Sequence, residues 1–176
     1  MSGVPARDYI FQTEPYEEQI KKAAKLIREA DYILFGLGAG ISTAAGAQYG
    51  GDFFKGNFGE FIEKYGAGPY MQDMYSAGFY PYPDEESYWG YWSRQAMVGG
   101  IELDVTGLYR QLIALAQGKK SFCLSTNADG QMEKAGYSTE QIFCTQGDYF
   151  HIQCAKGCHA KTVSYTHLRA HETSLH

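Results

Sequence analysis

The sequence predicts an α/β fold in which a parallel sheet carries helices on both faces. Three observations predict it. Residues 32–35, 121–125 and 141–145 are short apolar runs of the length expected for buried strands. Stretches of helical periodicity separate them, so the strands connect by crossovers and not by hairpins. Each run ends in small or polar residues: Gly36 to Ser42, Thr126 to Gly130, and Gln146 to Asp148. Strands that alternate with helices form a parallel sheet covered on both sides.

The first helix spans residues 14–30. Ile20, Ala23, Ala24 and Ile27 share one side, with Glu17, Glu18, Lys21, Lys22 and Lys25 on the other. Pro15 suits its first turn, with Thr13 or Glu14 as the cap. Tyr32-Ile33-Leu34-Phe35 is the first strand, and a short helix starts near Thr43 after the glycine turn. Residues 46–100 then change in composition, becoming rich in Gly, Tyr, Phe and Pro. Asn57 followed by Glu60 has the form of a capping box and leads into Phe61, Ile62 and Tyr65. Asp84 begins a second helix over residues 85–97, whose aromatic face is Tyr88, Trp89 and Trp92. Residues 66–83 between them form a long loop, a feature usually tied to function inside a domain. The whole aromatic insertion is either a substrate lid or a helical cap with its own satellite core. Another helix covers residues 105–117, anchored by Leu108, Leu112, Ile113 and Leu115. A short helix at 131–135 stops at Gly136, which suits a left-handed cap.

The chain has 176 residues and a formal net charge of −5. At roughly 100–200 residues per domain this is one domain, or one domain carrying a small module, with room for a core that needs no disulfide staples. Hydrophobic residues at 44% and charged residues at 20% exclude a disordered chain and a long coiled coil. The acidic balance leaves no basic face for nucleic acid. No apolar run approaches the ~20 residues of a membrane span. Met1-Ser2-Gly3-Val4-Pro5 lacks the basic-then-apolar pattern of a signal peptide. The expectation is a cytoplasmic protein with no nucleic-acid and no membrane partner.

Strand, glycine turn and helix in succession are the layout of a Rossmann-like nucleotide-binding unit. Gly38 and Gly40 let main-chain N–H groups approach a phosphate, and Ser42 adds a hydroxyl donor. The spacing is not G-x-G-x-x-G, since Ile41 stands where a glycine belongs, and there is no Walker lysine. A purely structural strand-to-helix turn therefore stays open. Asn127 and Asp129 can present an amide and a carboxylate to one polar ligand, or form an Asx turn. Gln146 can hydrogen-bond but cannot take a proton at neutral pH. Ligands of open α/β sheets bind beyond the carboxyl ends of the strands, so all three ends converge on one crevice. Cys154 and Cys158 have a spacing compatible with two zinc ligands, where a structural site needs four. His167 and His171 follow Cys158 more closely than the ~12-residue gap of a Cys2His2 motif, and are read as coincidence. Cys123 and Cys144, inside strands, read as buried free thiols.

The order of these pieces resembles that of the sirtuins. Gly38-Ala39-Gly40-Ile41-Ser42 resembles the family's GAGxS turn, and Thr126-Asn127-Ala128-Asp129 its TQNxD strand end, with Thr126 in place of Gln. Gln146-Gly147 stands where the family has its catalytic His-Gly, and Cys154 with Cys158 is similar to the first cysteine pair of its zinc module. The family's GIPDFR segment corresponds to Gly46-Ala47-Gln48-Tyr49-Gly50-Gly51, which lacks the Asp, Phe and Arg. With the aromatic insertion, these departures resemble the class M, macrodomain-linked microbial sirtuins.

The resemblance covers residues 30 to 158 and implies the following. Residues 1–153 are the N-terminal part of an NAD-binding domain, with 46–100 as its aromatic insertion or lid. Residues 154–162 are the first half of a zinc module, and 163–176 are a tail foreign to the domain. No second cysteine pair and no further strand-helix units follow, so the domain is incomplete. NAD is held by Gly38, Ala39, Gly40, Ser42, Thr126, Asn127, Asp129 and Gln146, and catalysis involves Asn127, Asp129 and Gln146. Zinc has only a half-site, Cys154 and Cys158. The implied activity is NAD-dependent protein ADP-ribosylation, with a lipoylated glycine-cleavage-H-like carrier protein as acceptor and a macrodomain hydrolase as functional partner. Because Gln146 cannot serve as a general base, transfer is favoured over deacylation. The alternatives are an NAD-dependent deacylase and a non-catalytic NAD-binding fragment.

Overall fold

A computed structural model describes residues 14–66, 68–154 and 156–157, and the backbone of 162–164. Three parallel strands, β1 (Tyr32–Leu37), β2 (Lys120–Ser125) and β3 (Ile142–Cys144), form a sheet with β2 in the centre. Phe35 lies opposite Cys123, and Cys123 opposite Ile142. This register lines up Ile33, Phe35, Leu37, Cys123 and Ile142 on one face, against Tyr109, Ala116, Met132 and Tyr137. The ring of Phe35 meets that of Tyr137 edge-on at 5.9 Å, and the Tyr137 hydroxyl donates to Ser121 Oγ at 2.7 Å. The alternate residues point the other way. Tyr32, Leu34, Phe122, Leu124 and Phe143 stay 41–70% exposed.

The helices flank this sheet in the expected order. α1 (Tyr16–Glu29) starts after Pro15 without a side-chain cap. Glu14 instead pairs with Lys22 at 2.5 Å, and Thr13 lies outside the described residues. α2 (Ala39–Ala44) begins directly after Gly38, earlier than Thr43. α3 (Gly51–Tyr65) also begins earlier than the capping box suggests. Asn57 sits inside it and donates back to Phe53 O at 2.8 Å, while Phe58 (φ −126°) marks a kink. An Asn-x-x-Glu pattern caps only when the chain before it is extended, and here that chain is already helical. The long loop contains a further helix, α4 (Met74–Gly78), whose cap Asp73 accepts from Ser76 N at 2.7 Å. Asp84 caps α5 (Glu85–Ala96) in the same way, accepting from Ser87 N at 2.7 Å.

α5 runs into a π-helical turn, Met97–Ile101. Its Gly100 packs against Tyr149, and a Cβ there would sit 2.9 Å from Tyr149 Cβ; a Cβ at Gly99 would lie 3.1 Å from Met74 Cε. α6 (Thr106–Leu115) and α7 (Gln131–Lys134) cover the buried sheet face. Gly130 before α7 adopts φ +64° and faces the Phe150 ring so closely that no side chain fits. A 3-10 turn, Thr139–Gln141, takes the first residue expected of the third strand. Beyond β3, β4 (His151–Gln153) pairs antiparallel with β5 (Thr162–Ser164). A backbone ladder forms there without any side-chain periodicity. Residues 165–176 lie outside the described residues.

The insertion encloses its own cluster of Phe54, Phe58, Met71, Met74, Ala77 and Tyr91. Tyr91 is fully buried, stacks on Tyr82 with centroids 5.4 Å apart, and donates to Met74 O at 2.5 Å. These contacts are those of a satellite core. Arg94 ties the rim, donating to Asn57 O and pairing with Glu60.

Two outcomes follow. Phe58→Ala empties a site of 0% exposure and is expected to cost about 3–5 kcal/mol, read from urea unfolding. Burial raises the hydroxyl pKa of Tyr82, Tyr91 and Tyr109 above the ordinary value of 10.0. Unfolded phenols then ionise while the folded ones stay neutral, so stability is unaffected below about pH 10 and falls above it. Thermal melts should stay flat between about pH 7 and 9 and drop at about pH 10–11.

Candidate functional site

The carboxyl ends of the three strands are held at one level. Thr126 N donates to Leu37 O at 3.0 Å and Thr145 N to Ser125 O at 2.9 Å, extending the ladder past the strands. Gln146 Nε2 then donates to Thr126 O at 2.8 Å, bridging the ends of β2 and β3. The glycine turn, Thr126-Asn127 and Gln146 therefore share one edge of the sheet. The surface concavity lined by Ala30, Tyr32, Gly118 and Lys120 lies at the opposite edge.

A buried hydrogen-bond network lies beneath that edge. Ser42 is 0% exposed, and its Oγ donates to Asp129 Oδ2 at 2.5 Å. The Tyr109 hydroxyl lies 2.6 Å from the same Oγ. Asn127 Nδ2 donates to Ser42 Oγ and to Tyr109 Oη, both at 3.2 Å. Asp129 Oδ1 accepts from Gln131 N at 3.2 Å. Gln131, itself 0% exposed, donates to Leu103 O and accepts from Val105 N, both at 2.9 Å. Every buried polar group here has a partner, as burial demands. Burial pushes the Tyr109 phenol up to about 12, aided by the Asp129 charge and opposed by Ser42 and Asn127. Burial also raises Tyr49, against the opposing pull of Ser42. Both phenols are therefore donors at neutral pH.

Of the residues the sequence singles out, Ser42, Asn127 and Asp129 touch directly, and Thr126 and Gln146 form the rim. A Cβ at Gly40 would meet nothing within 4 Å, and one at Gly38 only Thr126 Oγ1 at 3.5 Å. The fold itself therefore does not demand glycine at either position; Gly38, Ala39 and Gly40 border open space. Cys154 is described and Cys158 lies outside the described residues. Among the described residues, no group of three or more His, Cys, Asp or Glu side chains is placed to hold a metal. No helix among them is long and apolar enough to cross a membrane.

Tyr109, Gln131 and Tyr149 escape the sequence reading. Tyr149 N donates to Ala128 O at 2.9 Å and its hydroxyl accepts from Gln95 Nε2 at 2.9 Å, linking the insertion to the site. One signal was present: Tyr109 stands on the core stripe of its helix beside Leu108 and Leu112, and a buried phenol needs a partner.

No protein-family model matches the chain. Over 149 residues it is 38% identical to "Protein ADP-ribosyltransferase" of Staphylococcus aureus, covering 83% of this chain and 46% of that protein. Over 158 residues it is 34% identical to "Probable bifunctional ADP-ribose hydrolase/ADP-ribosyltransferase" of Fusarium oxysporum, covering 85% of this chain and 25% of that protein. The chain is thus homologous to proteins named ADP-ribosyltransferases. It spans about half the length of the first relative and about a quarter of the second.

Ser42→Ala removes the buried donor to Asp129, and is expected to lower stability by about 1–3 kcal/mol in urea unfolding. Burial pushes the Cys123 and Cys144 thiols up to about 11. Both stay protonated at about pH 8, so a thiol reagent should modify them far more slowly than it modifies the urea-unfolded chain.

Proposed function

We propose that this chain carries the nicotinamide-ribose end of the site of an NAD-dependent protein ADP-ribosyltransferase of the sirtuin family. Homology to proteins named ADP-ribosyltransferases supports the transfer. The observation that carries the reading is the rim itself: Asn127 stands over a donor-saturated network, next to a glutamine that cannot act as a base.

NAD supplies the ADP-ribosyl group and a nicotinamide leaving group. Asn127 holds the carboxamide of that leaving group. Ser42 and Asp129 keep Asn127 in place from below, where water is excluded and hydrogen bonds gain strength. The bond between nicotinamide and the ribose anomeric carbon breaks, and its electron pair leaves with neutral nicotinamide. A nucleophile of the acceptor protein bonds to the same carbon and gives up its proton. Gln146 holds the ribose by hydrogen bonds and moves no proton. One displacement suffices for transfer, whereas deacylation requires a base to activate a ribose hydroxyl.

The acceptor proposed is a lipoylated glycine-cleavage-H-like carrier protein, in the cytoplasm. One relative is named for an ADP-ribose hydrolase and an ADP-ribosyltransferase in one protein, which supports a macrodomain hydrolase as functional partner. Zinc at Cys154 and Cys158 takes no part in any step.

The test is incubation of the polypeptide carrying this sequence with lipoylated carrier and NAD labelled in its adenosine half. Label should appear on the carrier, with nicotinamide released and the lipoyl group retained. Asn127→Ala should slow transfer about 100-fold or more, while Gln146→His should still bind NAD. Loss of the acyl group without label on protein would make the chain a deacylase. Absence of nicotinamide release would leave a non-catalytic fragment.

A further inference from the structure

The Tyr109 hydroxyl lies in none of the sequence motifs, yet it touches both Ser42 and Asn127. Counting protons sets the direction of the bonds among Asp129, Ser42, Tyr109 and Asn127. Asp129, as a carboxylate, only accepts, so the single Ser42 proton goes to it. Ser42 Oγ must then accept from Tyr109 across 2.6 Å. That uses the only Tyr109 proton, so Tyr109 Oη in turn accepts from Asn127 Nδ2 at 3.2 Å. Ser42 Oγ also accepts from Nδ2 at 3.2 Å. The Asn127 amide nitrogen thus faces into the protein. Asn127 Oδ1 has no partner among the described residues. A flipped amide would aim Oδ1 at two oxygens that have no proton left to give.

We propose that Tyr109 is a positioning residue whose hydroxyl keeps Asn127 Oδ1 turned toward the crevice, so that the site selects a neutral primary carboxamide over a carboxylate. This rests on the reading of the crevice as a nicotinamide site. A carboxamide offers N–H groups to an outward oxygen, whereas a carboxylate offers only acceptors and is repelled. In Tyr109→Phe the ring still fills its place in the core, where Tyr109 is 1% exposed, but Asn127 loses one of the two contacts that forbid the flip.

The probes are nicotinamide and nicotinate, titrated into the 15N-labelled chain and followed by NMR. The wild type should prefer nicotinamide. Tyr109→Phe should cut that preference by about tenfold, since a hydrogen bond of ordinary strength is worth that factor. A merely structural loss would weaken both ligands alike and leave the ratio unchanged. In the ligand-free wild type, the Asn127 side-chain amide protons should show NOEs to the Tyr109 ring; in Tyr109→Phe they should exchange faster with water. A wild-type chain that binds neither probe overturns the nicotinamide reading and this inference with it. A preference that survives Tyr109→Phe intact overturns the role of Tyr109 alone. Absence of the NOEs does the same, and needs no variant to fold.

Discussion

A carboxylate taken out of water must be answered by donors, and Asp129 is 5% exposed. Among the described residues, no cation pairs with it. Its two oxygens accept instead from the Ser42 hydroxyl and the Gln131 backbone amide. Much of the site follows from that requirement. Ser42 must lie on the first turn after β1 to reach it, which places α2 directly after Gly38. Gln131 must begin α7 to offer its N–H, which requires the left-handed backbone at Gly130. Once the Ser42 proton is committed, Tyr109 and Asn127 have only one consistent arrangement.

Buried apolar residues form two hydrophobic clusters. The sheet cluster around Phe35, Tyr109 and Cys123 carries the strand ends, and the aromatic cluster around Phe58 and Tyr91 stands apart from it. Tyr149 joins them through its hydrogen bond from Gln95 and its close packing on Gly100. Lys134 adds a second tie, donating to Gly100 O at 2.6 Å and to Ile101 O and Leu103 O, each at 2.8 Å. It thereby satisfies carbonyls that the end of a helical turn leaves open. A π-helical turn is uncommon, and here it lies at the joint between insertion and site. The insertion is therefore coupled to the carboxyl-terminal edge of the sheet by polar side chains, while its own stability comes from aromatic burial.

The elements legible in the sequence were those specified by local patterns. Apolar runs marked β1 and β2, Asp84 marked the start of α5, and Gly136 with φ +96° marked the end of α7. Where a local pattern could serve two conformations, it misled. Asn57 reads as a cap but lies inside α3, and β5 forms with no side-chain period at all. The π-helical turn left no trace beyond two adjacent glycines, and the side chain packed against Gly100 is that of Tyr149, far along the chain.

The sequence alone determined the α/β class, the order of the strands and helices, and the three strand ends on which polar residues gather. Those follow from periodicity and turn chemistry, which act over a few residues. Only the tertiary structure decided what the gathered residues do to one another. Ser42 meets Tyr109 across 67 positions and Asp129 across 87. Proton direction in such a network depends on all its members at once. No residue of it carries that information in its own neighbourhood, so the outward turn of Asn127 appears only when the chain is folded.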